Sequence, residues 1–87
     1  MSQPITITLR FFASLRETLG PEESLQIDAP IPVGQVRDGL IARGAPYAQA
    51  LARGRAVRMA LDQVLCGENQ LITVSCELAF FPPVTGG

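Results

Sequence analysis

The sequence predicts an α+β domain in which a mixed sheet of four or five strands packs on one main helix. Several short segments alternate between apolar and polar residues, which is the pattern of half-buried strands. One segment has the spacing of an amphipathic helix. The 87 residues suffice for one small domain with a thin core, so the apolar face of the sheet needs that helix as its cover.

The first half of the chain predicts a strand, a short helix and a second strand. Apolar and polar residues alternate over 5–11, with apolar side chains at the odd positions. A short helix over 13–19 follows, with Ser14 and Glu17 at the spacing of a capping box. A second strand over 24–28 comes too soon for a crossover connection, so we expect it to pair antiparallel with the first.

The main helix is predicted over residues 33–43. Its apolar residues recur at positions 33, 36, 40 and 41, which places them on one stripe. Gly34 and Gly39 weaken this helix, each by about 1 kcal/mol relative to alanine. Packing against the sheet therefore has to compensate for these two glycines.

Three more strands are predicted in the second half, over residues 57–61, 64–66 and 77–81, after a short helical turn that follows Pro46. The order β, helix, β, helix, β, β, β with one sizeable helix is that of ubiquitin-like β-grasp domains. We therefore expect a β-grasp domain over residues 1–81 and an extended, reactive tail over residues 82–87.

The composition excludes several classes of function. There are seven arginines and eight acidic residues, a net charge of −1, and neither lysine nor histidine. The chain therefore lacks an imidazole general base and a lysine nucleophile. A net charge near zero does not favour nucleic acid, and no apolar run reaches the roughly 18–20 residues of a membrane span. We expect a cytoplasmic protein without a membrane, nucleic-acid or metal partner, and without a side-chain active site.

The cysteines and arginines are expected to have ordinary structural roles. Two cysteines, Cys66 and Cys76, are too few for a structural zinc site, and we expect both to be small buried side chains. Their number alone would also allow one disulfide. The seven arginines, among them Arg10 and Arg58, are expected to form a solvated face rather than an anion site.

The end of the sequence, FFPPVTGG, carries the candidate chemistry. Two prolines favour an extended spacer, which would hold the terminus clear of the domain. Gly86 and Gly87 have no Cβ, so a terminal carboxylate could thread into a narrow site. Such a carboxylate can attack the α-phosphate of ATP in a partner enzyme and give an acyl-adenylate. A linker or cloning remnant is the alternative interpretation of the two glycines.

Motifs at both ends and in the middle of the chain resemble those of one family. They are Phe11-Phe12-Ala13, Arg16-Glu17, residues 60–63 and, above all, residues 79–87. With them the sequence resembles the MoaD family, the small subunits of molybdopterin synthase. Two positions depart from the family pattern: Ser75-Cys76 replaces Gly-Asp, and Asp62 replaces Asn. Both positions are expected to be turns, where glycine, asparagine and aspartate are favoured.

The resemblance implies a sulfur carrier that binds no cofactor itself and is not an enzyme alone. In that family an adenylating enzyme related to ubiquitin activators uses ATP to adenylate the terminal glycine, here Gly87, and a sulfur donor protein supplies sulfur for a thiocarboxylate. The tail then threads into the large synthase subunit, which catalyses sulfur transfer to cyclic pyranopterin monophosphate in a heterotetramer of two small and two large subunits. The tail residues implied here are Pro82, Pro83, Val84, Thr85 and Gly86.

The resemblance also implies a docking surface for the large subunit. Phe12, Leu65 and Phe81 match positions that family members use for docking, and burial of all three in the core is the alternative. Three other functions compete: a carrier for thiamine thiazole or cysteine synthesis, a ubiquitin-like protein modifier, and an interaction domain with an inert tail. Thiazole carriers are typically shorter and lack the Phe-Phe-Pro-Pro run. The lack of lysine excludes lysine-linked chains.

Overall fold

The computed structural model describes residues 3–83, so the predicted tail residues Val84, Thr85, Gly86 and Gly87 lie outside the described part. Within it, none of the helices has the length and apolar character needed to cross a membrane. The elements in chain order are β1 (Gln3–Phe11), α1 (Ser14–Leu19), β2 (Glu22–Ala29), β3 (Ile31–Pro32), α2 (Val33–Ile41), α3 (Tyr47–Ala50), β4 (Arg58–Leu61), β5 (Val64–Cys66), β6 (Leu71–Ile72) and β7 (Cys76–Phe81).

Five of these strands form one mixed sheet in the order β2-β1-β7-β4-β5. β1 pairs antiparallel with β2 and parallel with β7, and β4 pairs antiparallel with both β7 and β5. The last strand, β7, therefore lies in the middle of the sheet, between the two hairpins. The predicted α+β class and the β-grasp arrangement are confirmed.

The core lies between one face of this sheet and α2. The alternation in β1 buries Ile5, Ile7, Leu9 and Phe11. Leu78 and Phe80 of β7 face the same side, and the Phe11 and Phe80 rings stack with centroids 5.9 Å apart. Each large side chain buried in this way contributes about 1.5–3 kcal/mol. Val33, Val36 and Leu40 of α2 cover this face, as the helical stripe predicts.

The helix boundaries differ from the predicted ones at both helices. α1 begins at Ser14, its N-cap is Ala13 with a φ of 53°, and no side chain caps it. The predicted capping box is therefore wrong, because Ser14 lies inside the helix. α2 ends at Ile41, two residues before the predicted end, and Gly44 adopts a φ of 87° in the turn that follows.

Gly34 has a packing role that accounts for a glycine inside α2. Its amide donates a hydrogen bond to the Glu68 carbonyl at 2.9 Å. A Cβ at position 34 would lie 2.8 Å from Glu68 Oε1 and 3.0 Å from Glu68 Cβ. The missing side chain thus lets α2 approach the loop after β5, which compensates for the low helix propensity of glycine.

Two short strands do not follow from the sequence pattern. β3 and β6 form a separate ladder in which Ile31 lies opposite Ile72, and Ile72 is fully buried. Runs of two residues are too short to show alternation, and each of these strands depends on a partner forty residues away.

Arg37 departs from the expectation of a solvated arginine face. Only 3% of this residue is exposed. Its Nε donates to the Leu51 carbonyl at 2.8 Å, one terminal nitrogen donates to the Ala52 carbonyl at 2.8 Å, and the other to Glu68 Oε2 at 3.2 Å. Burial lowers the pKa of Arg37, and nearby Arg53 adds to the shift. The side chain ties the segment after α3 to α2, so the expectation was wrong for this residue.

Candidate functional site

The base of the tail is fixed at the end of the central strand. β7 ends at Phe81, and Pro82 and Pro83 follow it, half-buried, as the last described residues. The Phe12 amide donates to the Phe80 carbonyl at 3.2 Å, and Arg58 of β4 lies opposite Phe81. Neighbours on both sides thus position the point where the chain leaves the sheet. The remaining predicted tail residues lie beyond the described part, and the division into domain and tail stays a prediction.

The sheet has a second face, which α2 does not cover. Because side chains alternate along a strand, the residues next to the core positions of β4, β5 and β7 point to this side. Register places Leu65, Ala60, Ala79 and Arg10 in one row across it, and Arg58 and Phe81 in the next row. We call these six residues the outer face: Arg10, Arg58, Ala60, Leu65, Ala79 and Phe81.

Of the three residues expected to dock on a partner, Phe12 and Phe81 lie at the base of the tail, and Leu65 lies two strands away on the same side of the sheet. Phe12 is 40% exposed, Leu65 is 66% exposed, and Phe81 is half-buried. Ala60 of β4 lies between Leu65 of β5 and Ala79 of β7, and both alanines are buried. The alternative that all three are core residues is therefore wrong. Exposed apolar groups around a fixed exit point are typical of a binding surface, and the docking role itself stays a prediction.

Arg10 contacts two carboxylates and the Phe12 ring at one side of this surface. Its Nη1 lies 3.5 Å from Glu77 Oε1 and its Nε lies 3.8 Å from Glu22 Oε1. The guanidinium carbon is also 5.7 Å from the centroid of the Phe12 ring, within the range of a cation–π interaction. The pair with Glu22 is exposed and the pair with Glu77 is partly buried, and pairs this accessible to water contribute about 1 kcal/mol or less. Arg10 thus links these two carboxylates to the Phe12 ring beside the base of the tail.

Of the residues that depart from the family pattern, Asp62 lies in a turn and Ser75 in a bend, as expected, whereas Cys76 is the first residue of β7, so the expectation of a turn is wrong for it. Asp62 and Gln63 have φ values of 48° and 70° and connect β4 to β5. Asp62 Oδ1 accepts a hydrogen bond from the Glu77 amide at 2.9 Å, so this carboxylate also fixes the start of β7. Ser75 Oγ accepts one from the Thr6 amide at 3.0 Å. Aspartate and serine thus supply local hydrogen bonds at these positions.

The cysteines are placed as small core-edge residues. Cys66 and Cys76 are both free thiols, half-buried and packed against the core. Burial raises the pKa of each thiol, and the Asp62 charge raises that of Cys76 further. Since the thiolate is the reactive form, both are poor nucleophiles at neutral pH. Residues 3–83 contain no cluster of three potential metal ligands.

The sequence named Arg58 only as part of a solvated arginine face and not as a residue of the candidate site. Alternation within 57–61 places it on the side opposite Met59, but its position beside Phe81 depends on the pairing of β4 with β7. That pairing joins segments about twenty residues apart, and the sequence alone gives no register for it. The only local signal was a charged residue next to a buried one in a short strand.

Comparisons with known proteins agree with this geometry. The ThiS family model matches residues 9–87. The molybdopterin synthase sulfur carrier subunits of Haemophilus influenzae and Escherichia coli K12 are 34% and 37% identical to the chain over 82 residues, covering 93% of this chain and 99% of each relative.

Among solved structures, the HVO 2177 protein of Haloferax volcanii superposes with a TM-score of 0.77 at 25% identity, over 97% of this chain and 88% of that one. A chain from the complex of subunits 1 and 2 of the molybdopterin-converting factor of Helicobacter pylori has a TM-score of 0.61 at 23% identity, over 95% and 100%. Likeness at these identities supports the β-grasp fold. With the matched family and the full-length relatives, the chain belongs to the ThiS family and, within it, to the sulfur carriers that are small subunits of molybdopterin synthase.

Proposed function

We propose that this chain carries sulfur as a thiocarboxylate on Gly87 and donates it to cyclic pyranopterin monophosphate during molybdopterin synthesis. One observation carries the proposal: the central strand β7 ends beside the exposed Phe12, and the exposed Leu65 lies on the same sheet face two strands away, so apolar surface for docking extends from the start of the tail. Full-length relatives with the name of sulfur carrier subunits support the same function.

The chemistry takes place at the terminal carboxylate in two steps. A carboxylate oxygen of Gly87 attacks the α-phosphorus of ATP in an adenylating enzyme, and pyrophosphate leaves. Hydrosulfide released by a donor protein then attacks the carbonyl carbon, the bond from that carbon to the AMP oxygen breaks, and AMP leaves, so that loss of the S–H proton gives the thiocarboxylate. Pro82 and Pro83 favour an extended approach, and Gly86 and Gly87 let the end enter a narrow channel.

The acid and base groups belong to the partners in this proposal. The sequence has neither histidine nor lysine, and burial raises the pKa of both thiols, so its own side chains are poorly suited to proton transfer or sulfur relay. The partner is a large synthase subunit, onto which Phe12, Leu65 and Phe81 dock while the tail enters its active site. Two carriers and two large subunits form the complete synthase, and ATP is bound by the adenylating enzyme rather than by this chain.

The test is the intact mass of the chain after incubation with its cognate adenylating enzyme, ATP and a sulfur donor. We expect the mass to rise by the difference between one sulfur and one oxygen atom. Deletion of Gly87 should abolish this change while the far-UV circular dichroism spectrum stays the same. An unchanged mass with verified partners would rule out every sulfur-carrier function, including those for thiazole or cysteine synthesis.

A protein modifier would give a different product in the same reaction. An amine of a target protein would displace AMP, and a covalent adduct would accumulate instead of the thiocarboxylate. Addition of the large subunit and cyclic pyranopterin monophosphate then separates the remaining carriers, because only a molybdopterin synthase subunit loses its sulfur to that acceptor. Loss of the added sulfur mass in that mixture is the outcome we expect.

A further inference from the structure

A cleft of about 510 Å³ lies beside the base of the tail. The cleft lies at the end of the β4–β5 hairpin where β4 begins and β5 ends. The tail leaves β7 at the same end of the sheet, since Arg58 pairs with Phe81. Arg58 and Leu65 belong to both the cleft and the outer face, so the two surfaces are continuous. The lining residues are Val57, Arg58, Met59, Leu65, Cys66, Gly67 and Glu68.

Only one of the two charged residues that line the cleft forms ion pairs within residues 3–83. The two charged residues that line it are Arg58 and Glu68. Glu68 Oε2 accepts a hydrogen bond from Arg37 at 3.2 Å, and its Oε1 forms an ion pair with Arg53. Arg58 is exposed and makes no ion pair or hydrogen bond with any other residue between positions 3 and 83. The cleft therefore presents one available cation beside apolar side chains.

Arg10, the other arginine of the outer face, is differently placed. It lies between Glu22 and Glu77 and over the Phe12 ring. Its charge is thus largely compensated by these neighbours, whereas the five N–H donors of Arg58 have no partner within residues 3–83. A planar guanidinium matches the two oxygens of a carboxylate, and apolar contacts beside it strengthen the pair by excluding water.

We infer that this cleft binds a carboxylate-bearing segment of the large subunit, with an aspartate or glutamate on Arg58 and an apolar neighbour on Leu65. The inference rests on the proposed function, because it names a further contact with the partner that receives the tail. A charge pair at the edge of a docking surface increases the association rate and fixes the register of the two surfaces. Arg58 is then a specificity-determining residue of the complex.

The position of Arg58 argues against the phosphates of ATP as its ligand. Six residues, 82–87, separate Phe81 from the reacting carboxylate, and fully extended they span about 20 Å. Arg58 lies at the start of that segment, opposite Phe81. The adenylation reaction takes place at its other end, so the anion bound by Arg58 is part of the surface that holds the domain.

The test compares Arg58→Glu and Arg58→Gln with the control Arg55→Glu, using the full chain and its cognate large subunit. Arg55 is an exposed arginine that does not line the cleft. Association rates are measured by surface plasmon resonance at about 0.05 M and about 0.5 M salt, where exposed charges are weakly and strongly screened. We expect Arg58→Glu to slow association about tenfold or more at low salt and much less at high salt. Arg58→Gln should have a smaller effect, and Arg55→Glu should stay within about twofold of the unsubstituted chain.

Pyrophosphate release by the cognate adenylating enzyme serves as the second measurement, and we expect it to be the same for all variants. If Leu65→Asp prevents docking but Arg58→Glu associates at the normal rate, the cleft proposal is overturned while the proposed function stands. If Arg58→Glu slows pyrophosphate release instead of association, the ligand belongs to the adenylating enzyme, and our assignment is wrong. If the unsubstituted chain itself does not bind a verified large subunit, the proposed function fails first.

Discussion

Replacement of Arg37 by methionine should destabilise the fold much more than replacement of any exposed arginine. The guanidinium donates to the Leu51 and Ala52 carbonyls and to Glu68, and the side chain is only 4% exposed. Loss of the donors leaves the Leu51 carbonyl without a partner, which costs about 1–3 kcal/mol for a buried group, and it also removes the contact with Glu68. The Ala52 carbonyl keeps the Arg55 amide as a donor at 2.8 Å. Methionine keeps the apolar stem, so packing changes little. We expect a loss of about 3 kcal/mol in the free energy of unfolding, because Ala52 and Glu68 are partly accessible to water.

Urea denaturation followed by circular dichroism measures this loss. For a domain of this size the transition midpoint should fall by about 2–3 M at an unchanged slope. Arg16→Met is the control, since Arg16 is exposed on α1, and its effect should stay within about 0.5 kcal/mol. A loss below about 1 kcal/mol for Arg37→Met would refute the argument, because water would then be replacing the lost donors at this site.

Three further predictions follow from contacts described above. Phe81→Ala or Leu65→Asp should weaken binding to the large subunit about tenfold or more in isothermal titration calorimetry while the melting temperature changes little; equal affinity would exclude the proposed docking face. Gly34→Ala should lower the urea midpoint by the equivalent of about 1–3 kcal/mol, although alanine favours helices, because its Cβ meets Glu68; a stabilised variant would show that the loop yields. Hydrogen bonds from Tyr47 and Arg43 lower the pKa of Glu23 below its ordinary value of 4.5, so their contribution is complete above that pH and is lost as the pH falls through the lowered pKa. Tyr47→Phe should therefore reduce stability at neutral pH and flatten its acid dependence in urea titrations; an unchanged dependence would contradict this.

Much of the fold could be predicted because its signals are local. Alternation over 5–11 identified β1 and its buried face correctly, and the stripe from Val33 to Leu40 identified the face of α2 that covers the core. The turn at Asp62 was also expected from the residue type. In each case the pattern lies within about ten residues, and burial of one face is its direct physical cause.

The remaining features depend on partners that are distant in sequence. Arg37 lies in the helical stripe, where a charged residue suggested solvent exposure, but carbonyls fourteen and more residues away bind its guanidinium. The ladder of β3 with β6 and the pairing of Arg58 with Phe81 are likewise non-local. The candidate site was predicted by residue type and resemblance, whereas the positions of Leu65 and Phe81 on one face of the sheet could be given only by its register.

The position of β7 has a consequence for synthesis of the chain. β1 and β4 do not pair with each other, so without β7 the main sheet consists of two separate hairpins, β1 with β2 and β4 with β5. Ribosomes make this strand after all the others, and two-stranded units of this kind are marginal by themselves. A nascent or truncated polypeptide that lacks β7 therefore lacks both a continuous five-stranded sheet and the strand that precedes the predicted tail. If the terminus is activated as proposed, folding and activation are coupled, since the six residues of β7 both join the two hairpins and lead into the tail.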